Sequence, residues 1–521
     1  MGRSADVVRE TERKFDADET VQLPDPAGLL GLDAGAGAER MRLEAVYFDT
    51  PDLRLLRAGV TLRRRVGGSD DGWHLKLPAG ADSRDEHRLP LSAGGRVRPP
   101  AELLSLVRVH SRGAALAPVA QLDTSRRRWL LSDSEGRELV ELVEDEVRAH
   151  TMGSETHTAA WREVEVELAE HGRVELLDRI ERKLAKVGLR RSKSGSKLAR
   201  LLADRLAAAP GSGSGTADGK GPGKKPAKLK RSSAGAVVLD YVRRQAERIR
   251  AEDPLVRRDA PDALHQLRVA TRRLRSALQV YGKVLDRDAT RSLTDELKWV
   301  GGELSGARDA EVIEERLTGV VAGLPDELVM GPVSVHITRT LARRRADGQA
   351  TAIDALDSDR YLALHDAIDA FLEDPPLTGR ATRAARRELP RQTARAWRRL
   401  DKRMTAAEAL EPGHERDTAL HEVRKAGKRL RYAAEIAEPA VGKRAKRVRK
   451  HAKKLHKQLG DHQDAVVARA VIRELAVQAH LEGGNGFTFG ILHELERERA
   501  SGAERALPRT WKKLSDVAGR S

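Results

Sequence analysis

The sequence predicts an α+β protein of two domains: an N-terminal antiparallel β-barrel enclosing a charged tunnel, and a C-terminal all-α duplicated helical bundle. Three observations predict it. Charged side chains recur at alternate positions in short segments of the first 209 residues: Glu10/Glu12/Lys14, Arg63/Arg65 and Glu163/Glu165/Glu167. A Gly-, Pro- and Lys-rich stretch over 210–232 then interrupts the chain. Beyond it, apolar spacing turns helical, and the segment His265–Arg275 returns in similar form as His421–Arg431. The predicted domains are therefore 1–209 and 233–521, the latter as repeats of about 233–375 and 376–521.

Alternate residues share one face of a β-strand, so Glu10, Glu12 and Lys14 point the same way. In Glu163–Leu168 the carboxylates fill one face, and Val164, Val166 and Leu168 fill the other. A single such strand ordinarily turns its charges to water. Several together, some acidic and some basic, predict a closed barrel whose lumen holds an anion and its metal ions. In order, strands are predicted over Val7–Phe15, Arg42–Asp49, Thr61–Val66, Trp73–Leu77, Ser125–Leu131, Arg137–Arg148 and Ala159–Leu168, separated by Gly, Pro and Asp turns. Helices are predicted over Val174–Lys186 and Ser196–Ala208, and Arg84 and Glu86 fall near a hairpin. Lys76, Arg126 and Arg128 add cations on strands, and Asp145 adds a carboxylate.

Composition sets limits. A chain of 521 residues exceeds one core. A net charge of +17 calls for an anionic partner such as polyphosphate, nucleic acid or a membrane surface. Aromatics at 3% leave few platforms for base stacking, which disfavours nucleic acid. Without cysteine there is no disulfide, thiolate chemistry or zinc–cysteine site. The polar start Met1–Asp6 is followed by no apolar signal core, and no apolar run reaches the roughly 18 residues of a membrane span. A soluble cytoplasmic protein is expected, with polyphosphate granules a natural place of association.

Glu10-x-Glu12-x-Lys14, Tyr47-Phe48-Asp49-Thr50, Leu62-Arg63-Arg64-Arg65, Lys76, Arg84-x-Glu86 and Glu163-x-Glu165 come in an order that resembles the CYTH superfamily over residues 5–205. These triphosphate tunnel metalloenzymes include inorganic triphosphatases, thiamine triphosphatases and class IV adenylate cyclases. The resemblance implies an eight-stranded tunnel in which Lys14, Arg63, Arg65, Lys76, Arg84, Arg126 and Lys197 grip a triphosphate. Glu10, Glu12, Asp145, Glu163 and Glu165 would then hold Mg²⁺ or Mn²⁺. Ser196-Lys197-Leu198 resembles the family's late Ser-Lys-Tyr motif with Leu in place of Tyr, and Lys193 is a rival for the lysine. The residue types suit the task. Phosphoryl transfer is catalysed mostly by positioning and electrostatic stabilisation, Mg²⁺ and Mn²⁺ prefer oxygen ligands, and unpaired charges in a closed lumen are costly. Which residue takes the proton from the attacking water stays open.

Gly219-Lys220-Gly221 invites a phosphate-loop reading, but the Gly-x4-Gly-Lys-Ser/Thr spacing is absent, and a flexible basic tether is expected.

In the helical half, His265, Arg268, Arg272 and Arg275, and likewise His421, Arg424, Lys428 and Arg431, are spaced along one helix face. Arg273, Lys425 and Arg429 add charge beside them. Two His-led combs predict an anion-binding groove. Metal binding by these histidines is disfavoured, because their neighbours are cations. Asp309 and Asp464, at matching places downstream, are expected to anchor arginines. Basic runs at Arg383–Arg403 and Lys443–Lys457 would extend the groove. The two copies resemble the CHAD domain over about 233–515, which implies binding of inorganic polyphosphate. Where the first copy has Arg272 and Arg308 the second has Lys428 and Gln463. Lysine keeps the charge but loses the bidentate fork, so the halves need not bind equally. The reading is hydrolysis of inorganic triphosphate or the end of a polyphosphate by the tunnel, with the polymer held by the helices. Alternatives are a class IV adenylate cyclase or thiamine triphosphatase, or a non-catalytic polyphosphate-binding protein. Oligomeric state is not legible.

Overall fold

A computed structural model describes residues 6–18, 20–26, 31–35, 37–91, 98–153, 156–207 and 229–519. They form two compact units, Met1–Lys220 and Gly221–Ser521. Most of the expected tether, 210–228, lies outside the described residues.

The first unit runs β1 (Asp6–Ala17), β2 (Glu39–Asp49), α1 (Arg54–Arg57), β3 (Thr61–Val66), β4 (Gly72–Pro78), β5 (Ser83–Leu89), α2 (Ala101–Ser111), β6 (Ala117–Ser132), β7 (Glu138–Thr151), β8 (Thr158–Leu168), α3 (Val174–Lys186), β9 (Arg190–Arg191), α4 (Lys197–Leu201) and α5 (Ala203–Ala207). The eight long strands close into an antiparallel barrel in the order β5-β4-β3-β2-β6-β7-β8-β1. β1 is the seam. Its first half pairs with β5, from Asp6 opposite Arg88 to Thr11 opposite Ser83. Its second half pairs with β8, from Glu12 opposite Glu167 to Ala17 opposite Arg162.

The alternation resolves with charge inwards because helices cover the outside. Phe15, Val164 and Val166 pack against Leu177, Ile180 and Leu184 of α3. Leu62, Trp73 and Leu75 pack against Leu103, Leu106 and Val107 of α2. With the outer face dry, the charged half of each strand has only the lumen. At the β3–β4 turn, Gly67 has φ +93°, and a Cβ there would stand 2.1 Å from the Arg42 carbonyl oxygen. Only glycine permits this approach of the turn to β2.

Several elements differ from expectation, among them β6, which starts at Ala117 and not Ser125, and the unforeseen α1 and β9. β5 is a full strand where only a hairpin was expected: in Ser-Arg-Asp-Glu-His-Arg-Leu the buried positions include Glu86 and His87, so no apolar alternation marks it. Helix α2 was not foreseen. The helix expected over Ser196–Ala208 is broken at Leu202 into α4 and α5.

The second unit is helical: α6 (Ala234–Arg257), α7 (Ala263–Val280), α8 (Arg291–Glu303), α9 (Gly306–Val321), α10 (Val333–Asp357), α11 (Asp359–Glu373), α12 (Ala385–Glu408), α13 (His414–Val441), α14 (Lys443–Leu481) and α15 (Phe487–Ala518). The combs lie on α7 and α13, which pack together. Tyr281 of the α7 end donates to the Ala433 carbonyl at 2.8 Å, and Tyr241 of α6 donates to Glu435 at 3.0 Å. One core joins α12 to α15 through Leu400, Val423, Leu430, Leu455 and Leu507. The other sets Leu317, Ile337 and Leu341 of α9 and α10 against Ile472, Leu475 and Phe489 of α14 and α15. The repeats therefore share a core instead of forming two independent bundles. Among the described residues no helix is long and apolar enough to cross a membrane.

Candidate active site and anion-binding surface

Period-two geometry delivers the lumen. Glu10, Glu12 and Lys14 of β1, Arg63 and Arg65 of β3, Lys76 of β4, Arg126 of β6 and Glu165 of β8 line a cavity of about 220 Å³. Arg84 and Lys197 line it too, so all seven expected phosphate-binding cations reach one space. Arg84 also donates to the Gly195 carbonyl at 2.5 Å. Ser196 caps α4 by accepting from the Ala199 amide at 3.1 Å, which makes Lys197 the first helical residue and aims it inwards. Lys197 is buried and Lys193 exposed, so the lumen lysine is Lys197.

The five expected metal ligands divide. Asp145, Glu163 and Glu165 each bring one oxygen within 4.8 Å of the others. The Lys197 ammonium lies among them, at 2.9, 2.8 and 2.7 Å respectively. Arg126 grips Asp145 with two bonds of 2.8 and 2.7 Å. Glu12 instead bonds Lys14 at 2.9 Å, and Lys14 also contacts Glu165. Glu10 pairs with Lys76 and, at 3.2 Å, with Arg88. An all-oxygen carboxylate trio already gathered round a cation suits a hard divalent ion, which would take the place of the ammonium. Asp145, Glu163 and Glu165 thus form a cluster that could hold a divalent ion, and Glu12 is linked to it through the Lys14 ammonium that it shares with Glu165.

Electrostatics separate two regions. Burial pushes the Glu165 carboxyl up, but Lys14, Lys197 and Arg126 outweigh it and hold the group well below the carboxylate range. Arg65 is lowered to about 9, first by burial and then by Arg63 and Arg126. Guanidinium groups crowded in this way favour an arriving anion. Conversely, Glu167 is raised to about 8 by burial, then by Glu10 and Glu12. His74, lowered to about 4 mainly by burial, stands between two acceptors, with Nδ1 3.1 Å from Glu86 and Nε2 2.9 Å from the Asp70 carbonyl.

The sequence reading gave no binding role to Tyr47, Glu86, Arg88, Arg128, Glu141 and Glu167, yet all line the lumen. Three of the six carried a signal: Glu167 continues the Glu163/Glu165 period, Arg88 continues Arg84/Glu86, and Arg128 continues Arg126. Tyr47 accepts from Arg63 at 3.2 Å.

In the helical unit the combs converge. Arg268 bonds Asp309 at 3.0 Å, and Arg424 lies 3.9 Å from Asp464, so both aspartates do anchor arginines. Lys428 of α13 is lowered to about 7, first by burial and then by Arg424, Arg272, Arg431 and Arg268. His456 of α14 is lowered to about 3 by burial, then by Lys428, Arg424, Arg431 and Arg272. Cations from both repeats therefore crowd one spot. His265 sits beside Arg268 and Arg272, and His421 bonds Gln463 at 2.7 Å. Arg275 is lowered by burial and by Arg272 at the cluster edge. Arg273 turns to Glu435 at 3.5 Å, and Lys425 pairs with Glu422 at 2.7 Å. Arg429 lines a different cavity of about 400 Å³, with Arg395, Arg399 and Arg403.

A closed barrel lined by paired cations and carboxylates is thus followed by a duplicated basic helical domain. A CYTH-domain profile matches residues 8–202, and a CHAD-domain profile matches 240–473. The Mycobacterium tuberculosis protein Rv2226 is 37% identical over 520 residues, 97% of this chain and 96% of its own. The chain belongs to the family of proteins that join a CYTH domain to a CHAD domain. CYTH-superfamily members are metal-dependent triphosphate hydrolases or cyclases. Human thiamine-triphosphatase is 31% identical over 134 residues, 23% of this chain and 54% of that protein. Two solved structures are similar to part of the chain. PptA from Streptomyces chartreusis has a TM-score of 0.46 and 26% identity, over 54% of this chain and 100% of that one. The CHAD domain of the plant Ricinus communis has a TM-score of 0.44 and 24% identity, over 57% and 97%.

Proposed function

We propose that the tunnel hydrolyses inorganic triphosphate or the terminal phosphate of a short polyphosphate, while the helical domain holds the polymer. The observation that carries this reading is the enclosed lumen, where crowded guanidinium groups stand beside a carboxylate trio. Arg63, Arg65 and Arg126 would bind phosphoryl oxygens, with Lys14, Lys76, Arg84 and Lys197 completing the grip. Asp145, Glu163 and Glu165 would hold Mg²⁺ or Mn²⁺, which supplies Lewis-acid stabilisation of developing charge and activates water. Glu10 and Glu12 would neutralise Lys76 and Lys14 when no substrate is bound. On the helical domain, the cluster of Arg268, Arg272, Arg424, Lys428 and Arg431 would bind polyphosphate.

Similarity to thiamine-triphosphatase favours a second reading, in which the triphosphate carries an organic group. A class IV cyclase would share the grip but act on ATP. The test is phosphate release from triphosphate, longer polyphosphate, thiamine triphosphate and ATP in parallel, each with Mg²⁺ and with Mn²⁺. Fastest release from triphosphate is expected. Preference for thiamine triphosphate or ATP would shift the reading, and no release from any would leave a binding protein.

A further inference from the structure

Far along the sequence from the combs, His462 of α14 is 2% exposed and sits between two carboxylates of other helices. Its Nε2 is 3.2 Å from Asp417 Oδ1 in the first turn of α13 and 3.1 Å from Glu504 Oε1 of α15. One N–H can serve one acceptor at full strength, yet two carboxylate oxygens stand at nearly equal distance from this nitrogen. The three ligand atoms all lie within 4.8 Å of one another. In a tetrahedral zinc site with bonds of about 2.1 Å, ligand atoms stand roughly 3.4 Å apart, close to the two distances from His462 here.

The duplication supplies an internal control. His462 occupies the place held by Ala307 in the first copy. There the crossing of α9 and α10 is closed by small residues, and a Cβ at Gly348 would lie 2.3 Å from the Ala307 nitrogen. The second copy places an imidazole and a carboxylate at the matching place, so packing alone does not require the polar group. Arg416 donates to the far oxygen of Glu504 at 2.9 Å, which turns the near oxygen towards His462. Such outer-shell bonds orient metal ligands. The two carboxylates are each more than a fifth exposed, leaving a path for entry.

We propose that Asp417, His462 and Glu504 form a binding site for a divalent transition-metal cation such as Zn²⁺, separate from both the tunnel and the basic combs. One imidazole and two carboxylates suit such an ion, and a fourth position remains for water. The site pins α13, α14 and α15 together, and it does not depend on what the tunnel hydrolyses.

The test counts Zn²⁺ bound to the metal-stripped full chain after dialysis, for wild type, His462→Gln, Asp417→Ala and Glu165→Gln. His462→Gln and Asp417→Ala should each bind one Zn²⁺ fewer than wild type. Glu165→Gln should keep this ion whatever happens in the tunnel. Zn²⁺ should also raise the melting temperature of Glu165→Gln, and Asp417→Ala should lose that part of the rise. Equal Zn²⁺ stoichiometry in wild type and Asp417→Ala would overturn the site and leave a histidine salt-bridged to two carboxylates. If His462→Gln fails to fold, the Asp417→Ala comparison decides alone.

Discussion

Lys197 concentrates the chemistry of the tunnel in one side chain. Its ammonium contacts Asp145, Glu163 and Glu165 at once, and an unpaired carboxylate trio at that depth would cost several kcal/mol. A divalent ion held by these carboxylates would free the lysine for phosphate. Arg63 plays a simpler part. It touches Tyr47 at 3.2 Å and lies 3.8 Å from Glu86, with no bidentate carboxylate of the kind that Arg126 has. Its guanidinium is the more available of the two for substrate. Arg63→Ala should therefore raise KM and lower kcat together, with kcat/KM down about 10- to 100-fold, the scale of a lost charge-assisted bond. Initial rates across triphosphate concentration check this, and unchanged kcat and KM would remove Arg63 from the grip.

Strand and helix periods carried most of the legible information. β3 and α3 match their expected bounds, because a two-residue charge period and an amphipathic helix are strong local signals. β5 escaped because nearly every residue is polar, and its strand character comes from pairing with β4 and β1. Helix α2 was marked by Pro99-Pro100 before Leu103, Leu106 and Val107, a start signal followed by helical spacing. On α13, the comb spacing set Lys428 on one helix face, but only tertiary structure brings Arg268 and Arg272 of the other repeat near it. That crowding sets a pH dependence. The free amine, lowered to about 7, loses its proton as pH rises past neutrality, whereas a bound polyanion favours the charged form. Binding then takes up a proton above pH 7, so polyphosphate affinity should fall with rising pH, by at most about tenfold per unit. His265, His421 and His456 are all lowered, so they titrate below this window. Lys428→Arg should flatten the dependence between pH 7 and 9. An unchanged slope in that variant would assign it elsewhere.

At the scale of the whole chain, the charge balance and the change of period mark out two different machines. What the repeat pattern concealed is the sharing of cores, because duplicated sequences invite like-with-like pairing while α14 and α15 reach across to α9 and α10. The helical unit buries its cores among its own residues, so residues 233–521 should fold alone, bind polyphosphate and hydrolyse nothing. If about six phosphates are neutralised and each releases roughly 0.7 counterion, affinity should fall on the order of a hundredfold or more over a fourfold rise in salt. Replacing Arg268, Arg272, Arg424 and Lys428 by Ala should weaken binding and shallow that slope. A salt titration giving the same slope for both proteins would reduce the combs to diffuse charge.

The division of labour is tested most directly by measuring triphosphate hydrolysis, with saturating Mg²⁺ or Mn²⁺, alongside polyphosphate affinity in two full-length variants. Glu165→Gln removes the carboxylate shared by Lys14, Lys197 and Arg126, and should abolish hydrolysis while leaving polyphosphate affinity as in wild type. The comb variant should do the reverse, keeping turnover of triphosphate and losing the polymer. Full hydrolytic activity in Glu165→Gln would contradict the tunnel as the catalytic site.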